Sequence, residues 1–273
     1  MPTPVPTALT IAGSDSGGGA GAQADLKTFL ACRVHGMSAL TAVTVQNSLG
    51  VSGFYELPPN AVAEQIESVV TDIGVGAVKT GMLASAAIMA AIADTTDRLG
   101  IGRRGPIPFV VDPVAASQHG DPLLRPDALD ALKGQIIPRA TLVTPNLGEI
   151  RLLTGVEVTG PGQMRKAAEA LLALGPTWAL VKGGHLEGHD ALDLLTDGET
   201  WLEFSAVRTP TAHTHGSGDT LAAAITASLA RGADIPTAVG HGKTFIAEAV
   251  RGSFPLGSGL GPVGHFWRVA PWP

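Results

Sequence analysis

The chain has 273 residues, is 45% hydrophobic and carries a formal net charge of −6. It can therefore bury a large core, while the acidic balance and an aromatic content of 4% exclude the basic surface and stacking platforms of a nucleic-acid binder. No run reaches the roughly 18 consecutive apolar residues of a membrane span, and the lone Cys32 has no internal partner, which suits a reducing cytoplasm.

Length allows one or two domains. No Pro/Ser-rich linker or long charge run divides the chain, so a single domain over residues 1–273 is expected, with 1–7 flexible and 254–273 a tail. The first seven residues carry neither the basic nor the apolar region of a signal peptide.

Residues 8–12 read as a short buried strand, 13–19 as a glycine loop and 20–33 as a helix, the first βα unit of an open sheet. A G-x-G-x-x-G dinucleotide fingerprint is absent from that loop. Asp25 falls one turn into the helix, where a lone Asp is commonly a solvated face residue. Residues 38–45 predict a second strand, ending at Gln46 and Asn47. Ligands of open α/β sheets gather at the carboxyl ends of strands, so Gln46 is placed to offer an acceptor and two donors to a heterocycle edge. The alternative is turn chemistry centred on Asn47 and Gly50.

Residues 51–57 read as an extra strand, and Asn60 as the N-cap of a helix to residue 73. Lys79 and Met82 then stand at a strand end, where a polarizable thioether can lie against a flat ring or simply fill core. Ser85 opens a further helix that Gly100 closes. The loop 103–108, with two arginines, is expected to be solvated.

Residues 108–111 predict a buried strand ended by Asp112, Pro113 and Val114. A carboxylate there can hold Mg²⁺ directly or through water. Small and polar residues over 115–121 suggest a mobile flap. The strand 141–144 leads to Asn146 and Glu149 at a helix start, where they can orient a metal–nucleotide complex or, for Asn146, simply cap. Residues 162–174 form an amphipathic pattern. The strand 178–181 runs into Lys182, which can reach a phosphate as a point charge. His185 and His189 read as loop residues. Asp197 and Gly198 form a hairpin turn between strands 191–196 and 199–205 at the sheet edge.

Thr214-His215-Gly216-Ser217-Gly218-Asp219-Thr220 precedes an alanine-rich run with helical spacing over 221–231. Glycines opening a helix offer unpaired N–H groups and partial positive charge to a phosphate. Asp219 in the first turn can take the proton of a hydroxyl attacking a γ-phosphate, or merely cap. A helix follows Pro236. Within it Gly242-Lys243-Thr244 mimics the end of a P-loop, but residue 237 is Thr where the first glycine belongs. The tail, with Trp267 and Trp272, packs on the core or on another subunit.

Strands alternating with helices predict a three-layer α/β/α arrangement with a mainly parallel central sheet and an antiparallel edge hairpin. The polar residues singled out recur at strand carboxyl ends, where accidents of structure would scatter over both ends.

Several blocks also resemble a known family. The residues Ala12 through Asp25, Gly36 through Thr41 with Gln46-Asn47, Lys79 through Leu83, Asp112-Pro113-Val114, Thr144 through Glu149 and Val181 through His185 occur in the order seen in hydroxymethylpyrimidine/phosphomethylpyrimidine kinases of thiamine biosynthesis, which belong to the ribokinase superfamily. The resemblance spans about residues 8–250. It implies a ribokinase-like fold and MgATP-dependent phosphorylation of 4-amino-5-hydroxymethyl-2-methylpyrimidine, then of its monophosphate. Gln46, the Gly13 backbone and Asp25 would meet the pyrimidine, with Met82 and Val114 along its ring. Lys182, Asp112, Asn146 and Thr214 would serve ATP, Asp112 and Glu149 the Mg²⁺, and Gly216, Ser217, Gly218 and Asp219 the transferring phosphoryl group. Members of the family are commonly dimers. Many carry Cys where this chain has Asp219, the residue type that the superfamily's sugar kinases use as base, and a methionine where it has Ala115. The competing readings are a pyridoxal kinase and a catalytically silent protein of the same fold that only binds a ligand.

Overall fold

The computed structural model describes residues 5–115, 123–124, 127–184, 186 and 190–269. Among the described residues nine strands form one sheet: β1 (Thr7–Ser14), β2 (His35–Asn47), β3 (Gly50–Glu56), β4 (Ala77–Thr80), β5 (Phe109–Val111), β6 (Leu142–Val143), β7 (Trp178–Lys182), β8 (Ala191–Thr196) and β9 (Trp201–Ala206). Their spatial order is β3-β2-β1-β4-β5-β6-β7-β8-β9. From β2 through β7 the neighbours are parallel. Both ends are antiparallel: β8 and β9 form the predicted hairpin, and β3 folds back on β2.

The inner strands read as continuous apolar runs because both their faces are covered. Alternate residues serve opposite layers. Val78, Phe109, Val111, Ala179 and Val181 enter a core under α2 (Pro59–Asp72), α3 (Ala86–Arg98), α5 (Leu147–Thr154) and α6 (Pro161–Leu172). Ala77, Val110 and Leu180 face the other layer, built from α1 (Gly21–Ala31), α7 (Ser217–Ala230) and α8 (Ile235–Arg251). α7 is buried continuously from Thr220 to Leu229. Its alanines permit close approach to β1, β4 and β5 on one side and α8 on the other.

Several boundaries differ from the sequence reading. α2 begins at Pro59 and Asn60 makes no capping bond, because proline's fixed φ already suits a first helical position. Thr7 is no flexible terminus: it opens β1, and its hydroxyl donates to the Gly74 carbonyl at 3.0 Å. A short helix α4 (Ala128–Ala131) continues through a π-turn and a 3₁₀ turn to Arg139. Gly242, Lys243 and Thr244 lie inside α8, as expected. The tail packs on the body: Trp267 meets Phe245 of α8 with ring centroids 5.2 Å apart. Most of the expected flap, together with His185, His189 and Trp272, lies outside the described residues.

Candidate active site

The carboxyl ends of the parallel strands open into a cavity of about 400 Å³. β1 delivers Gly13, Ser14 and Asp15; β2 delivers Thr44 and Gln46. Met82 follows β4, Asp112 and Val114 follow β5, and Asn146 and Glu149 follow β6. Lys182 ends β7, and Thr214 through Asp219 enter α7. A second cavity of about 460 Å³ adjoins it, with Gly184, Asp193, Val207, Pro210, Lys243 and Val250 in its wall. Asn146, Lys182, Thr214, Ser217 and Gly218 border both spaces.

The partition is the start of α7. Gly216 sits at φ 76°, and a Cβ there would overlap the Gly19 carbonyl, so only glycine can make this turn. The Ser217 N–H turns back to the Thr214 carbonyl at 3.1 Å, and the first helical bond runs from the Thr220 N–H to the Gly216 carbonyl at 2.9 Å. The Gly218 and Asp219 amides lie in the turn whose donors the helix itself cannot satisfy. Positive potential and free donors there suit a phosphate.

Two ion-pair clusters lie around this turn. In the first, Lys79 Nζ is 2.6 Å from Asp25 Oδ1 and 3.2 Å from Asp219 Oδ1. Thr10 Oγ1 donates to Asp25 Oδ2 at 2.6 Å. Lys79 and Asp25 have no exposed side-chain surface, whereas Asp219 keeps 16%. Burial works against the Lys79 charge, but the Asp25, Asp219 and Asp112 carboxylates outweigh it and hold the ammonium above the ordinary lysine range. Burial pushes the Asp25 carboxyl up to about 7, against the pull of Lys79.

In the second cluster, Lys182 Nζ is 3.0 Å from Asp112 Oδ1, which also accepts from Thr144 Oγ1 at 3.1 Å. Burial opposes the Lys182 charge, yet Asp112 and Glu149 raise its pKa. Asn146 and Glu149 form a reciprocal capping box at the start of α5: Asn146 Oδ1 accepts the Glu149 N–H at 3.0 Å, and Glu149 Oε2 accepts the Asn146 N–H at 2.7 Å. The capping alternative for Asn146 is thus realised, on a residue that also borders both cavities. Burial lifts Glu149 to about 8, partly offset by Lys182.

Gln46, Gly13, Met82, Val114, Asp112, Asn146, Glu149, Lys182, Thr214, Gly216, Ser217, Gly218 and Asp219 all border the first cavity. Asp25 requires correction on two counts. It is neither a solvated helix residue nor a wall of the cavity, but wholly buried beneath it. The reason is α1's contact with β1, which turns Asp25 inward onto Thr10 and Lys79.

Three site residues escaped the sequence reading. Lys79 was placed at its strand end but without its partners, and Asp15 and His215 were passed over. Asp15 accepts the N–H groups of Gly17, Gly19 and Ala20 at 2.8–2.9 Å, and lies 3.0 Å from His215 Nε2. Those bonds hold the Asp15 carboxyl below the usual carboxylate range against its burial. The same His215 nitrogen is 3.4 Å from Gln46 Nε2. The only advance signal was an Asp inside a glycine loop, a common site for Asx-type bonding to following amides.

Asp112 and Glu149 supply hard oxygen donors beside the partition, as Mg²⁺ prefers. No group of three or more His, Cys, Asp or Glu poised to hold a metal occurs among the described residues. The donor set therefore fits a magnesium ion that arrives with phosphate oxygens, not an all-protein cage.

Residues 15–264 match the family model for phosphomethylpyrimidine kinase. A hydroxymethylpyrimidine/phosphomethylpyrimidine kinase of Mycobacterium tuberculosis is 56% identical over 266 residues, covering 97% of this chain and 95% of that one. Among solved structures, a Bacillus subtilis pyridoxal kinase in complex with ADP superposes with a TM-score of 0.87 at 38% identity, covering 96% of this chain and 98% of that one. A phosphomethylpyrimidine kinase from Clostridium difficile superposes at 0.78 with 40% identity, covering 89% and 99%.

Proposed function

The chain belongs to the phosphomethylpyrimidine kinase family, and from that premise we propose that one kinase domain carries ATP-dependent phosphorylation of 4-amino-5-hydroxymethyl-2-methylpyrimidine, and then of its monophosphate, for thiamine biosynthesis. The observation that carries the reading is the shared wall. Asp219 borders the first cavity together with Gln46 and Met82, while Ser217, Gly218 and Lys182 border both cavities. An alcohol on one side and a γ-phosphate on the other would meet at the start of α7.

In this reading Gln46 bonds the pyrimidine edge and Met82 and Val114 flank the ring, with the Gly13 backbone closing against Met82. The second cavity takes the nucleotide, with Asn146 and Thr214 at its phosphate end. Asp219 accepts the hydroxyl proton as the oxygen attacks the γ-phosphorus, and the bond to the bridging oxygen breaks to release ADP. The Gly216–Gly218 backbone and Lys182 stabilise charge on the transferring group. Asp112 and Glu149 would hold Mg²⁺, which supplies charge neutralisation on the phosphates. Such positioning and charge stabilisation is the main contribution a protein makes to this reaction.

Incubation with MgATP and the pyrimidine alcohol, followed by product analysis, tests the reading. Mono- and diphosphate are expected. ADP release that depends on pyridoxal and not on the pyrimidine would shift the assignment to a pyridoxal kinase, the activity named for the Bacillus subtilis structure. Ligand binding without ADP release would leave a silent binding protein.

The reading places the enzyme in the cytoplasm, and no described helix is long and apolar enough to cross a membrane. We also infer a homodimer through the exposed face of β2 and β3. Val43 pairs with Tyr55 across β2 and β3, and both are exposed together with Val45 on the same face. An exposed apolar patch on a sheet face favours association. Light scattering at micromolar concentration would show twice the chain mass.

A further inference from the structure

An ammonium is among the costliest groups to bury, and it stays charged only where carboxylates surround it. Lys79 meets that condition twice. Asp25, locked by Thr10, would by itself compensate it as an isolated buried pair. Yet Lys79 also reaches Asp219 Oδ1 at 3.2 Å, and Asp219 alone of the two carboxylates borders the cavity. A Cβ added at Gly81 would lie 3.6 Å from both Asp219 Oδ1 and Lys79 Nζ, so the backbone closes over the contact. The members come from β1, α1, β4 and α7, elements that pack directly on one another. The cluster is therefore fixed from below and ends on one carboxylate oxygen.

We propose that Lys79, anchored by Asp25, is a positioning residue for Asp219: it ties down Oδ1 so that the other carboxylate oxygen stays turned toward the alcohol. The proposal rests on the reading of Asp219 as the proton acceptor. When Asp219 takes the hydroxyl proton on its other oxygen, the ammonium remains on Oδ1, and the carboxyl keeps its orientation through the transfer. Lys79 itself touches neither alcohol nor nucleotide, since it borders neither cavity.

Lys79→Met alone strands the Asp25 charge in the interior and can prevent folding. The test therefore uses Lys79→Met combined with Asp25→Asn, which removes both charges from the sealed end. The full-length variant is assayed for kcat, for KM toward the pyrimidine alcohol and ATP, for ADP affinity by calorimetry and for melting temperature. The expected result is a kcat loss of about 100-fold, with KM for the alcohol and ADP affinity within about threefold of the parent. In an Asp219→Asn background the same two changes should lower kcat no further, because residues acting as a unit are non-additive. A parental kcat in the double variant, or an undiminished loss in the Asp219→Asn background, overturns the positioning role while leaving the kinase reading intact. A parental kcat in Asp219→Asn alone overturns the base assignment and the proposal with it.

Discussion

Lys79 on β4 and Lys182 on β7 both stand at carboxyl ends of parallel strands, and both pair with aspartates. Their settings differ. Lys79 has no exposed surface and faces two carboxylates, whereas Lys182 keeps 12% and borders both cavities. A strand end therefore brings a lysine near a ligand without deciding whether it meets one. Side-chain parity does not decide that, since both lysines lie on the sheet face of Ala77 and Leu180; the neighbouring helices do, because α7, packed on β4 and on α1, seals Lys79, while Lys182 stays at the rim.

The strongest break in this contrast would come at Asp219, which the sealed cluster presents to the open side. Asp219→Asn is expected to lower kcat by about 10³-fold, the scale of a lost general base, while the melting temperature stays close to the parent's. The two lysines should then separate by observable. Lys79→Met should cost about 3–5 kcal/mol of unfolding free energy in denaturant titrations, the scale for breaking a buried pair. Lys182→Met should instead lower kcat/KM for ATP by about 10²-fold, with a much smaller loss of stability. Equal stability losses would erase the distinction.

Smaller effects sharpen each side. Next to Asp219, Thr220 Oγ1 lies 2.9 Å from His265 Nε2, and burial, aided by Lys27, depresses the His265 pKa from 6.5 to about 4. A base whose folded pKa is lowered contributes stability that is present above the unfolded value of 6.5 and is lost as pH falls through 4. Denaturant titrations should show His265→Gln reducing the loss between pH 7 and pH 5 by about 2 kcal/mol. On the open side, Asn146→Ala removes half of the capping box and should cost about 1 kcal/mol, read as a shift in denaturant midpoint.

The legible part of the site was its geography. Gln46, Asp112, Asn146 and Lys182 could be placed because a parallel sheet exposes its carboxyl ends together, and Asp219 because glycines opened an apolar helix. The β8–β9 turn was equally legible in Asp197 and Gly198. Direction and long-range partnership were not. Asp25 read as solvated because nothing local reveals that α1 turns it onto a lysine 54 residues away. The 3.0 Å contact of Asp15 with His215 spans 200 residues, and no periodicity encodes it. Asn60 was misplaced because two competing helix-start signals, Asn and Pro, lay side by side.

That contact between Asp15 and His215 also bears on biosynthesis. The glycine loop leaves the ribosome 200 residues ahead of its stabilising partner, which is translated only after all nine strands of the sheet. Nascent chains arrested before residue 215 thus lack both the latch and the phosphoryl cradle. Catalytic competence would switch on abruptly once the start of α7 has been made instead of accumulating with chain growth.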